Sequence, residues 1–130
     1  MALTKVRGMA PRVLIIVSDR RQIEELRNHF SGLGVECEVA LDLETARVVL
    51  DERRMDLVIV DVSLPDIKSE PVIKELKDQD CDMKLVLFNG VKEKSEQRRM
   101  RRMGADSYLS EASDLNAVVR AVERNLETPA

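Results

Sequence analysis

VIVDVSLPD, residues 58–66, decides how the rest of the chain is read. An apolar, β-branched run ends on a carboxylate, Asp61, and a proline follows four residues later. LVIV (57–60) has no polar alternation, which fits a strand buried on both faces, as in a parallel sheet covered by helices. Asp61 stands where that strand gives way to a loop containing Leu64-Pro65.

Outward from this strand, short apolar runs alternate with helix-length amphipathic segments. VLIIV (13–17) is a second strand of the same buried kind, and Ser18-Asp19 can cap a helix over about 20–31. That helix carries Ile23, Leu26 and Phe30 on one face, and Ser31-Gly32-Leu33-Gly34 ends it. VECEVA (35–40) alternates, as an edge strand with one wetter face does, and Asp42 caps a helix carrying Leu43, Ala46, Val49 and Leu50. Ser69-Glu70-Pro71 opens a third helix, with proline in the first turn, where its missing N–H costs little. KLVLF (84–88) is a fourth strand, residues 92–103 a weakly amphipathic helix stopped by Gly104, and DSYL (106–109) a short fifth strand. A last helix over about 113–126 carries Leu115, Val118, Val119, Val122 and Leu126 on one stripe. Five strand-helix units with short connections predict an α/β fold, a single doubly wound five-stranded parallel sheet. The expected domain spans residues 11–127, after a flexible N-terminal tail over 1–10 and with a frayed end over 127–130.

Composition narrows the function. The chain has 130 residues and a formal net charge of -3, which suits one domain and makes nucleic-acid binding unlikely on charge. Aromatic residues make up 2% of it and tryptophan is absent, which argues against base or flavin stacking. Cys37 and Cys81 lack CxxC spacing, so they read as reduced core or near-core thiols of a cytoplasmic protein. His29, the only histidine, falls at a helix end and reads as a surface residue. No stretch has the apolar length of a signal peptide or of a membrane span, so no membrane partner is expected.

Chemistry in such a sheet gathers at the carboxyl ends of the strands, near the switch in strand order. The residues expected there are Ser18 and Asp19, then Asp61, Asn89 and, just past the fifth strand, Glu111. Asp19 and Asp61 would share a crevice, and an oxygen-only site with carboxylates suits a hard cation such as Mg²⁺.

VLIIVSD, DLVIVDVSLPD, LVLFNG and GADSYLSEAS, in this order and spacing, resemble the receiver domain of two-component response regulators over residues 12–126. The resemblance implies a flavodoxin-like (βα)5 fold with strand order 2-1-3-4-5, and a signalling module, not an enzyme beyond self-phosphorylation and autodephosphorylation. It places Asp61 at the family's phosphoacceptor position and Tyr108 at the aromatic switch. It also implies Mg²⁺ held by Asp19, Asp61 and the backbone of Ser63. A protein partner, a histidine kinase or an output protein, would dock on the face formed by the fourth helix, fifth strand and fifth helix.

The pattern breaks at three positions. Ser18 replaces an acid of the metal site and keeps only a weak oxygen ligand; Asn89 replaces the family's threonine or serine; Glu111 replaces its lysine, with Ala112 after it in place of proline. Phosphoryl transfer needs cations to neutralise the equatorial oxygens, so the sign change at 111 is the heaviest loss. The expected function is therefore a degenerate receiver acting by protein interaction, with weak Mg²⁺ binding. The alternative is a working phosphoacceptor, phosphorylated at Asp61 by a histidine kinase. Arg20 and Lys92, just past strand ends, are the candidates to replace the lost cation. KEKSEQRRMRR (92–102) is either a solvated helix face or a basic docking face for an acidic partner, flanked by adaptable Met100 and Met103.

Overall fold

The structure, a computed structural model, describes residues 10–127. Strands and helices alternate: β1 (Arg12–Ile16), α1 (Arg20–Gly32), β2 (Glu36–Ala40), α2 (Leu43–Glu52), β3 (Leu57–Asp61), α3 (Ser69–Gln79), β4 (Lys84–Gly90), α4 (Lys94–Met103), β5 (Ser107–Ser110) and α5 (Leu115–Glu127). All neighbouring strands pair in parallel, in the order β2-β1-β3-β4-β5. This is the flavodoxin-like (βα)5 sheet expected. The segment expected to form a flexible tail, residues 1–10, lies outside the described residues apart from Ala10. So do residues 128–130, while Glu127 closes α5.

Alternate side chains of a strand point to opposite faces. Leu14, Ile16, Val58, Val60, Leu85 and Leu87 join one core cluster with residues of α2, α3 and α4. Val13, Ile15, Leu57, Ile59, Val86 and Phe88 join the other with residues of α1 and α5. Helices cover both faces, so the central strands carry unbroken apolar runs. Each fully buried leucine or isoleucine in them contributes roughly 1.5–3 kcal/mol. Strand β2 lies at the margin of the sheet, with Cys37, Glu38 and Val39 only half-buried.

Caps fix where the helices begin. Asp19 accepts the Gln22 N–H and Asp42 that of Thr45. Helix α5 starts two residues later than the spacing predicts, because Asp114 caps it by accepting the Ala117 N–H at 3.0 Å. Strand β4 runs two residues past Phe88, through Asn89 and Gly90, and its register against β5 shifts between Leu87 and Gly90. Asn89 there has a φ of 59°, a left-handed conformation that asparagine tolerates better than most residues.

Three surface readings change. Met100 is buried and Met103 half-buried against the core, so neither supplies an adaptable surface contact. They lie on the face of α4 opposite Arg98, Arg101 and Arg102, which are exposed. Cys81 is exposed, in the polar turn after α3, and only Cys37 is near the core. His29 is exposed in the last turn of α1, as expected.

Candidate functional site

Asp61 is the only charged residue among the described residues that is buried, at 5% exposure. It ends β3, and the chain folds back at once: the Leu64 N–H donates to the Asp61 carbonyl at 3.3 Å. Leu64 and Ile67 are buried and anchor this loop, and the Asp66 carboxylate accepts the Leu43 N–H at 2.9 Å, which ties it to the start of α2.

That turn aims donors at the Asp61 carboxylate, as short turns after an aspartate do. Its Oδ1 accepts the Ser63 N–H at 2.9 Å, the Ser63 hydroxyl at 2.6 Å and a side-chain N–H of Asn89 at 3.2 Å. The other oxygen, Oδ2, accepts none. No buried side-chain polar atom is left without a partner among the described residues, so Oδ2 keeps contact with solvent. All three donors are neutral. The geometry offers one carboxylate oxygen held in place and one free to act as a nucleophile or to meet a ligand.

Tyr108, on β5, is buried, and its hydroxyl oxygen accepts the Val91 N–H at 3.3 Å. Its ring lies over Gly90, where an added Cβ would stand 2.4 Å from the ring's Cζ. Gly90, next to Asn89, therefore makes the room for the aromatic side chain.

A buried aspartate at the end of the third strand, in a sheet of this order, agrees with what the sequence comparison finds: residues 13–123 match the response regulator receiver domain model. The chain belongs to that family. Receiver domains of this kind are signalling modules, not catalytic enzymes. The response regulator MprA of Mycobacterium sp. strain KMS is 29% identical over 119 residues, which cover 89% of this chain and 52% of that protein. The chain thus spans about half the length of the curated relatives it matches. The non-phosphorylated HemR receiver domain from Leptospira biflexa superposes with a TM-score of 0.81 at 20% identity, covering 92% of this chain and 97% of that one. A response regulator from Thermotoga maritima gives a TM-score of 0.79 at 21% identity, covering 92% and 100%. At that identity the likeness speaks for the fold.

Against the receiver pattern, Asp61 and Asn89 are brought together directly, and Tyr108 is buried against Gly90 and Val91. Glu111 is not brought in. It is exposed, its N–H donates to the Gly90 carbonyl at 2.8 Å, and its carboxylate has no partner among the described residues. Arg20 and Lys92 are exposed and neither pairs with Asp61. Ser18 and Asp19 are exposed as well, and Asp19 Oδ1 is taken up by the Gln22 N–H at 3.1 Å. The groups left for Mg²⁺ at Asp61, Asp19 and the Ser63 backbone are oxygens, the donor chemistry that ion takes. Among the described residues no group of three or more histidine, cysteine, aspartate or glutamate side chains is placed to hold a metal.

Two contributors were missed. The Ser63 hydroxyl and N–H bind Asp61, whereas the resemblance implies only a backbone ligand to Mg²⁺ at Ser63. The signal was available, since a serine two residues after an aspartate favours that turn. Gly90 carried no comparable signal, because its importance depends on a side chain from β5. No helix among the described residues is long and apolar enough to cross a membrane.

Proposed function

We propose that this receiver domain signals by binding a protein partner and does not rely on a stable phosphoryl group at Asp61. The observation that carries the reading is the shell around Asp61: Ser63 and Asn89 donate to it, and no cation does among the described residues. A phosphoryl group on Asp61 would bring negative charge to a buried position, where catalysis of this kind depends on fixed cations. The family's lysine position holds Glu111, and one of its acids is Ser18. Because Glu111 is exposed, solvent and salt screen its charge. The defect is then a missing cation more than an added anion. On this reading Mg²⁺ at Asp61, Asp19 and Ser63 is weak and exchangeable. The partner, a histidine kinase or an output protein, docks on the face of α4, β5 and α5 inside the cytoplasm. Nucleic acid is not the ligand of a chain with net charge -3 and almost no aromatic residues.

One observation favours a second reading, a phosphoacceptor modified at Asp61 by a histidine kinase: Asp61 Oδ2 is unbonded and reached by solvent. Incubation with acetyl phosphate and Mg²⁺, followed by intact-mass measurement, separates the two. Only trace adduct is expected on the wild type. Glu111→Lys combined with Ser18→Asp should raise the yield at Asp61, whereas Glu111→Gln, which removes the anion without adding a cation, should change it little. Stoichiometric modification of the wild type would overturn the proposal in favour of the second reading.

A further inference from the structure

Two helices of this chain carry matching ridges of opposite charge. The exposed face of α2 presents Glu44, Val48, Asp51 and Glu52, with exposed Leu41 just before the helix. Fifty residues further along, the exposed face of α4 presents Lys94, Arg98, Arg101 and Arg102, with exposed Val91 just before it. Positions i, i+4, i+7 and i+8 form one stripe on a helix, and the spacing is the same on both. At three of the four positions an acid on α2 stands where a base stands on α4: Glu44 against Lys94, Asp51 against Arg101, Glu52 against Arg102.

Two further observations mark these ridges as unfinished surface. Leu41, Val48 and Val91, at 57%, 54% and 48% exposure, are all the large apolar side chains exposed among the described residues; Val48 lies on the α2 ridge, and Leu41 and Val91 in the chain just before α2 and α4. The nearby charges are already used within the chain: Arg47 pairs with Glu75, Arg53 with Glu38, Arg54 with Asp80, and Arg99 with Glu70 and Glu96. The charges on the ridges themselves form no ion pair among the described residues. Nor do the two helices lie together in one molecule. Helix α2 packs on β1 and β2, and α4 on β5, at opposite margins of the sheet.

We propose that the α2 ridge of one copy docks on the α4 ridge of another, a head-to-tail contact between copies of this chain. Each acid then faces a base, and the exposed valines and leucine are covered together. The contact leaves one free ridge at each end, so it extends to chains or rings and does not stop at a symmetric dimer. It engages far fewer than the roughly 20–30 residues per side of a stable complex, so it is weak, and its charged character makes it salt-dependent. It holds whether or not Asp61 is modified.

Sedimentation equilibrium of the full chain across a wide concentration range, at low and at high salt, tests this. At low salt the average mass should rise above the 14.8 kDa of one chain, and salt should return it there. Reversal of one ridge, by Arg98→Glu, Arg101→Glu and Arg102→Glu or by Glu44→Lys, Asp51→Lys and Glu52→Lys, should weaken association about tenfold or more. An equimolar mixture of the two variants should recover it, as should all six substitutions in one chain. Circular dichroism checks folding, and glutamine in place of the three arginines gives a milder variant should the glutamates unfold α4. A monomer at every concentration overturns the proposal, even where the chain binds an acidic peptide. So does association that survives reversal of the α2 ridge, or a mixture that fails to recover.

Discussion

A methyl group added at Gly90 would stand 2.4 Å from both Cζ and the hydroxyl oxygen of Tyr108, and 2.6 Å from Cε1. Carbon–carbon contacts are comfortable at about 3.5–4.0 Å, so the ring, which is rigid, has to move as a body by roughly 1 Å. Two responses compete. A ring that stays in its pocket and presses on its neighbours costs about 1–3 kcal/mol, as overpacking does. A ring that swings into solvent gives up about 150–250 Å² of burial, or roughly 4–6 kcal/mol at 25 cal/mol per Å². The smaller cost decides, so Gly90→Ala should destabilise the fold by about 1–3 kcal/mol with the ring displaced but still mostly buried. The same substitution should reverse its sign once the ring is gone. Gly90 is not among the glycines with positive φ, so its backbone suits alanine, and in a Tyr108→Ala background Gly90→Ala should stabilise by about 0.4–1 kcal/mol. Urea unfolding of the four proteins, followed by far-ultraviolet circular dichroism, measures the cycle. Tyr108 is the only tyrosine and the chain has no tryptophan, so acrylamide quenching of its emission reports the ring's position directly. An equal cost of alanine in both backgrounds would refute the claim that Gly90 exists to admit Tyr108.

The thiols and one ion pair give two more tests. Burial pushes the Cys37 thiol up to about 11, against the pull of Arg27, while Cys81 is exposed. At about pH 8 only on the order of one in a thousand Cys37 side chains is thiolate, so iodoacetamide should modify Cys81 first; equal rates by mass spectrometry would contradict this. Arg47 donates two 2.8 Å hydrogen bonds to Glu75, which hold that carboxyl below its ordinary value against the effect of partial burial. A carboxyl so lowered contributes stability above its unfolded value, about 4.3, and loses it as pH falls through the folded value. Arg47→Ala should therefore lower the melting temperature slightly at neutral pH, since the pair is half-exposed, and the gap should close as pH falls through the lowered folded value of Glu75. A gap that does not change with pH would show that the loss comes from something other than this pair.

The sheet was legible because burial on both faces removes the need for polar alternation. Val13–Val17 and Leu57–Val60 could hardly be read otherwise, and the alternation in β2 marked it correctly as marginal. Errors gathered where the backbone leaves regular geometry. Asn89, at φ 59°, lies in the register irregularity between Leu87 and Gly90, past which β4 pairs again with β5, and Asp114 delays α5 by capping it. Neither depends on the apolar periodicity that located the elements. Met100 and Met103 were misplaced for a related reason: in so charged a helix the few apolar residues are the ones the core needs.

The site divides along the same line. Asp61 could be singled out as a candidate because a carboxylate closes an apolar run there, and the departures at 18, 89 and 111 are matters of residue type. What surrounds each side chain was not legible. Asn89 is closer to Asp61 than its type alone implied, a donor to the Oδ1 that Ser63 also holds, while Glu111 is farther from it in effect, turned to solvent with only its backbone bonded to Gly90. This changes the weight of the substitutions. A carboxylate in the crevice would repel an incoming phosphoryl group strongly; an exposed and screened one repels it weakly. Among the described residues no cation bonds to Asp61 in either case, so that bears most of the argument for the proposed receiver that works by binding. Asn89 then has a role of its own: with Ser63 it satisfies Oδ1 by neutral donors and ties the loop after β3 to the end of β4.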